Sequence, residues 1–264
     1  MSVEESTQEK PNTGRMYDYF LHGKDNGPVD RAAGDEVMRL FGEDNTRGVV
    51  RENRAFQGRV VAHLVGELGI TQFIDVGSAL PTVDHTHHVA GRINPDVRVL
   101  YAEADGEVVT IGQQILADEG ARNTRLIEAD MRNPLEILDH PDTKSLIDFS
   151  KPVAVMFIAA LHCIGDFKVA KDIVAAFEQR MAPGSYLVVS HLCTDQVTAE
   201  ELAKMDEVYK NATFPLVYRS LADISAFFDG FELQSPGLVP VGRWRPGAEE
   251  GESMKRMYGG YARK

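Results

Sequence analysis

Apolar positions change period along the chain. Between residues 15 and 70 they recur every three or four positions, the spacing of one helical face. The stretch "TRGVVRENRAFQGRVVAHLVGELG" carries Val49, Phe56, Val60, Leu64 and Leu68 on such a stripe, with Thr46 as its expected N-cap and Gly69 as its stop. Asn53 falls on the same stripe. If buried it must find hydrogen-bond partners, most simply the backbone of the "GKDN" loop.

From Gln72 onward, short apolar runs alternate with helical stretches. "QFIDVG", "VRVLYAE", "TRLIEAD", "PVAVMFIAAL" and "SYLVVSHL" read as strands, the fourth covered on both faces because its apolar residues do not alternate. "TVDHTHHVAGRI", "EVVTIGQQILADEG" and "DFKVAKDIVAAFEQRM" read as helices between strands. Strands separated by helices need crossover connections, hence a parallel sheet. "TAEELAKMDEVYKNA" reads as an inserted amphipathic helix, "LADISAFFDG" as another, and "FELQS" and "RMYGGYARK" as weaker strands. The pattern predicts an α/β protein with a doubly wound, Rossmann-like, mostly parallel sheet. Residues 1–13 are expected to be a disordered tail and 14–264 a single domain: a helical cover (14–70), a nucleotide-binding core (71–193), an insertion over the strand ends (194–222), and a C-terminal helix with strands (223–264).

Composition narrows the class of partner. A 264-residue chain with 43% hydrophobic and 26% charged residues can build a full core. A net charge of -12 and a pI near 5.1 argue against a nucleic-acid partner, which requires a basic face, and fit a small-molecule partner. Cys163 and Cys193 form no C-x-x-C pair, so a reducing, cytoplasmic location is expected. The polar N-terminus is unlike a signal peptide, and the longest apolar run is too short to span a bilayer, so no membrane partner is expected.

In open α/β sheets ligands sit outside the carboxyl ends of the strands, where strand order reverses. This sequence places Asp75, Gly77 and Ser78 after the first strand, Glu103, Ala104 and Asp105 after the second, and Asp130 and Met131 after the third. Ala159, His162 and Asp166 follow the fourth, and His191 and Asp195 the fifth. An acid closing the second strand accepts hydrogen bonds from both ribose hydroxyls; the alternative is a solvated acid at a helix start. "GSALPT" holds one glycine where a dinucleotide fingerprint holds three, and Pro81 offers no N–H. S-adenosylmethionine carries no pyrophosphate and needs only one close backbone approach, at Gly77, so this turn favours it over NAD. Asp130 suits the adenine amino group and the Met131 N–H the ring, or Asp130 is a helix cap.

The set "FIDVGSALPT", "VLYAEAD", "IEADMRNP", "AALHCIGD" and "MAPGSYLVVSH" resembles the class I S-adenosylmethionine-dependent methyltransferases. "RMYDYFLHGKDNGPVDRAA", "RENRAFQGR" and "FFDGFEL…PGLVPVGRWRP" make it similar to the bacterial S-adenosyl methyltransferase family, formerly a domain of unknown function, from about Thr13 to Lys264. The resemblance implies a seven-stranded sheet with an antiparallel last strand. It implies S-adenosyl-L-methionine as cofactor, with contacts at Gly77, Glu103, Asp130 and Met131. It also implies contacts from "YDYFLHGKDN" folding over the site, which brings in Tyr17, Gly23 and Lys24. Departures are Ser78-Ala79 where relatives commonly carry a second glycine, Glu103 for the usual aspartate, and Gly106 where proline is common.

Other candidates weigh less. His85, His87 and His88 cannot converge from one helical turn, so they read as a polar helix face and no metal is expected. His162 reads either as general base for a small-molecule methyl acceptor or as a loop-shaping group, and His191 mainly as the latter. Arg54 or Lys24 suits the cofactor carboxylate, a surface salt bridge being the alternative. Trp244 reads as packing. The sequence therefore predicts a methyltransferase for a small molecule; the alternative is a non-catalytic S-adenosylmethionine-binding sensor or partner-binding module, and an NAD-linked oxidoreductase is disfavoured by "GSALPT".

Overall fold

The structure, a computed structural model, describes residues 10–82, 84–210, 212–246 and 253–264. Most of the expected tail lies outside these. Within it, however, Asn12 is buried, and the first helix starts at Thr13, because Asn12 caps that helix and bonds to the core.

The cover comprises α1 (Thr13–Phe20), α2 (Pro28–Phe41) and α3 (Glu43–Gly66). Pro28 opens α2 with its φ preset, and the Asp30 carboxylate reaches back to accept from the Gly27 N–H at 2.8 Å. α3 starts four residues earlier than the pattern predicts, with Gly42 as its N-cap in place of Thr46 and Glu43 and Asp44 in the first turn, where acids favour the helix dipole. Thr46 therefore caps nothing. Leu68 lies past the helix end and is exposed.

The core runs β1 (Gln72–Val76), α4 (Thr86–Ile93), β2 (Arg98–Glu103), α5 (Gly106–Asp118), β3 (Thr124–Glu128), α6 (Pro134–Asp139), α7 (Pro141–Leu146), β4 (Ala154–Ile158), α8 (Phe167–Arg180) and β5 (Tyr186–Leu192). The rest comprises α9 (Ala199–Tyr209), α10 (Leu221–Ser225), β6 (Glu232–Leu233), β7 (Val239–Pro240) and β8 (Met257–Arg263). Strand order among the described residues is β3-β2-β1-β4-β5-β8-β6, with β7 also on β8. The first five are parallel, whereas β8 is antiparallel to β5, β6 and β7. Counting the two-residue β6 and β7 gives eight strands, against seven expected.

Apolar layers cover both sheet faces. α3 packs Phe56, Val60 and Leu64 against Phe73, Met156 and Val188, while α8 packs Ile173, Val174 and Phe177 on the other face. Trp244 is fully buried, edge-on to Phe56 at 5.5 Å and to Tyr261 at 5.6 Å. A third cluster joins cover to insertion above the strand ends, with Met16, Phe20, Val37 and Val50 meeting Met205 and Tyr209 of α9. No helix among the described residues is long and apolar enough to cross a membrane.

Candidate active site

Strand order reverses between β1 and β4, and a cavity of about 490 Å3 opens at their carboxyl ends. Its floor is the sheet edge; its roof is α1, α3 and α9. Asp75, Gly77, Ser78, Glu103 and Ala104 line it from β1 and β2. Asp130, Met131, Ala159 and His162 line it from the loops after β3 and β4, and Tyr17 from α1. Gly23 and Lys24 do not. Their loop folds around the Asp18 carboxylate, which accepts from the Asp25 N–H and Asn26 Nδ2, and this turns Lys24 out to solvent.

The turn after β1 is shaped by conformation and crowding. Gly77 has φ +69, and a Cβ there would sit 2.7 Å from Met131 Cε and 2.8 Å from Ala160 Cβ. Ala79, where relatives commonly carry glycine, also stands in the left-handed region, at φ 54. Its N–H donates to Glu103 Oε2 at 3.0 Å, which offsets part of that strain. Glu103 Oε1 accepts from the N–H groups of Ala104 at 2.8 Å and Asp105 at 3.2 Å. A carboxylate has about four acceptor positions, so Glu103 retains room for one ribose hydroxyl rather than both. Burial pushes its carboxyl above the usual range.

Asp75 is buried and accepts from Thr86 Oγ1 at 2.8 Å and Gln57 Nε2 at 3.1 Å. Burial pushes its carboxyl up to about 6, against the opposing pull of Arg54. Arg54 also lines the cavity, its guanidinium 5.6 Å from the Tyr17 ring centre, and its Nε and Nη1 are buried without a hydrogen-bond partner. Guanidinium N–H groups without an acceptor, on the wall of a ligand-sized cavity, are donors that a carboxylate can complete. Asn53 is buried, and its partners are Tyr17 Oη, to which its Nδ2 donates at 3.0 Å, and Ser190 Oγ, from which it accepts at 2.7 Å, rather than the "GKDN" loop. Asp130 is held by Arg132, whose backbone N–H donates to it at 2.8 Å and whose side chain pairs with it.

The loop after β4 carries His162. Burial, with His191 and Arg219 nearby, holds its imidazole well below the usual range, so it is neutral, and its Nδ1 is buried without a partner. His191, pushed down to about 3 chiefly by burial, donates from Nδ1 to the Leu192 carbonyl and accepts from Arg219 Nη1 at 2.7 Å. Arg219 also donates to the carbonyls of Leu161 at 3.0 Å and Ile164 at 2.5 Å, bracketing His162. His85 holds the Ser78 carbonyl at 3.1 Å, whereas His87 and His88 both reach Glu119 Oε2 on the outer face, each at 3.0 Å.

Sequence reasoning missed three contributors. Asn12 falls in the expected tail, Gln57 faces Asp75 from α3 although no feature of the sequence singles it out, and Thr46 lines the cavity instead of capping a helix.

The sequence profile of a family described as S-adenosyl methyltransferase matches residues 2–264. The chain belongs to the S-adenosyl methyltransferase family. It is similar to a Streptomyces avermitilis MA-4680 protein of the DUF574 family, at 36% identity and TM-score 0.90 over 97% of this chain and 98% of that one. It is also similar to a Thermobifida fusca YX protein provisionally assigned as a methyltransferase, at 37% identity and TM-score 0.87 over 97% and 95%. An O-methyltransferase family 2 protein from Planctomyces limnophilus DSM 3776, solved with apigenin, shares the fold alone, at 16% identity and TM-score 0.52 over 89% of this chain and 61% of its own. No curated protein matches the chain. As a member of this family the chain is an S-adenosylmethionine-dependent methyltransferase, and S-adenosyl-L-methionine is its cofactor.

Proposed function

We propose that this methyltransferase holds its cofactor at the β1–β4 reversal point and methylates a small molecule bound above it, under α9. The Arg54 guanidinium, whose Nε and Nη1 lack hydrogen-bond partners, carries this reading. It is the cation the cofactor's carboxylate requires, with buried donors that are costly to leave unmet. The residues present fit the rest of the cofactor. Glu103 would offer one acceptor position to a ribose hydroxyl, the Met131 N–H and Asp130 would meet the adenine, and Asp75 and Tyr17 would flank the amino-acid end; all of them line the cavity. Bound there, S-adenosylmethionine supplies a methyl group on a sulfonium, a leaving group that needs no acid. The chain excludes water with α1, α3 and α9, holds donor and acceptor together, and offers the neutral His162 imidazole as proton acceptor.

The test is ligand-induced stabilisation. At a hundredfold excess over Kd a ligand adds about 2.7 kcal/mol, or roughly 5–10 °C for a chain this size. S-adenosylhomocysteine should raise the melting temperature by this amount and NAD should not. Arg54→Met should lower S-adenosylhomocysteine affinity at least about thirtyfold, through loss of charge-assisted hydrogen bonds. Equal stabilisation by NAD, or unchanged affinity in the variant, would overturn the reading.

A further inference from the structure

The cavity has a second lobe with different chemistry. Away from the strand ends, under α9, its walls are Phe20, Phe41, Tyr209, Phe214, Tyr218 and Met205. Among the described residues no acidic side chain lines this lobe; the cavity's acids, Asp75, Glu103, Asp130 and Asp166, all sit at the sheet edge. Its one cation among the described residues, Arg256, is spent on Glu201 at 2.8 Å. Burial keeps both tyrosines neutral, pushing Tyr218 up to about 12 and Tyr209 higher still. One buried polar atom stands without a partner in this wall: Thr46 Oγ1 on α3.

A charged acceptor would lose its hydration here and find no counter-ion. Aromatic walls and a methionine favour ring-bearing ligands, through edge and offset contacts and sulfur–ring contacts. Thr46 supplies a single hydrogen bond for a ring substituent. At the sheet edge the lobe opens beside His162, whose Nδ1 is also unpartnered.

We propose that the acceptor is an uncharged aromatic compound, methylated on a ring hydroxyl that faces His162. This rests on the cofactor reading above and names the substrate class of the same site. The acceptor oxygen's lone pair forms the new O–C bond, and the S–C bond breaks with its electrons on sulfur. The hydroxyl proton passes to the neutral imidazole and then to water, leaving an aryl methyl ether and S-adenosylhomocysteine. A phenolic hydroxyl, with a pKa of about 10, is within reach of a weak neutral base as the O–C bond forms, whereas an aliphatic hydroxyl is far harder to deprotonate.

The experiment is calorimetry on the full chain saturated with S-adenosylhomocysteine, using 2-naphthol, 6-hydroxy-2-naphthoate and 6-(aminomethyl)-2-naphthol as probes. The neutral probe should bind at least about tenfold tighter than either charged one. With S-adenosylmethionine, 2-naphthol should give its methyl ether and an equal amount of S-adenosylhomocysteine. Val49 of α3 also lines the cavity, clustered with Tyr218; Val49→Asp should weaken 2-naphthol at least about tenfold while S-adenosylhomocysteine affinity stays within about twofold. Charged probes binding as well as the neutral one, or no preference with S-adenosylhomocysteine bound normally, would overturn this proposal alone. Failure of S-adenosylhomocysteine to bind would overturn the cofactor reading and this proposal with it.

Discussion

The Glu103 carboxylate holds three backbone N–H groups, and that sets what its removal does. Glu103→Ala strands those donors in a turn already strained at Ala79. Each buried unsatisfied group costs about 1–3 kcal/mol and water recovers some of it, so a net loss on the order of 3 kcal/mol is expected. At roughly 2–4 °C per kcal/mol, the apo melting temperature should fall by about 6–12 °C. An unchanged melting temperature, by calorimetry, would mean the turn does not need this acceptor. His162 makes the opposite kind of prediction. His162→Ala should leave cofactor binding intact and cut turnover roughly 10²–10⁴-fold. Because its pKa is depressed, the neutral base is present throughout the neutral range, so parent turnover should be flat between about pH 6 and 8 rather than rising through the usual imidazole value near 6.5. A rising limb there that vanishes in His162→Ala would show that the imidazole titrates normally. The positions of Glu103 and His162 were legible because each directly follows an apolar run of the sequence. That Arg54 rather than Lys24 faces the cavity was not, since it depends on which helix face meets the sheet and on a loop wrapped around Asp18.

At the scale of elements, α1 connects cover to core. Arg15 is almost fully buried, paired with Asp30 of α2 at 2.8 Å and with Glu107 of α5 at 2.8 Å. Asn12 Nδ2 donates to Asp105 at 2.8 Å, next to the helix start that Asp105 caps. Breaking a buried pair from one side costs about 3–5 kcal/mol. Arg15→Ala should therefore lower the melting temperature by about 10 °C, and S-adenosylhomocysteine affinity should fall because Gly14 and Tyr17, carried by α1, line the cavity. A variant with parent-like melting and affinity would detach α1 from the site. β1 through β5 were legible because they are short, mostly apolar runs separated by helical stretches. β7 was not, because a two-residue strand, Val239–Pro240, exists only through pairing with Tyr258 and Gly259. The start of α3 was misplaced for a related reason: a threonine is a good cap in sequence, but Gly42 with Glu43 and Asp44 starts the helix earlier and leaves the hydroxyl to the cavity.

At the scale of the molecule, the sheet supplies the cofactor half of the cavity, and the cover and insertion supply the acceptor half. Met16, Phe20 and Val37 of the cover meet Met205 and Tyr209 of the insertion, so the two segments flanking the core in sequence close over it together. The core was legible from alternation of strand and helix; that cover and insertion pack on one another was not, since nothing local in either segment names the other. The central claim is that this cavity orients the cofactor with its carboxylate on Arg54. A crystal structure with S-adenosylhomocysteine tests it most directly. The account predicts the ligand carboxylate within about 3.2 Å of an Arg54 nitrogen and one ribose hydroxyl on Glu103. A ligand seated elsewhere, or with its carboxylate turned away from Arg54, would contradict it.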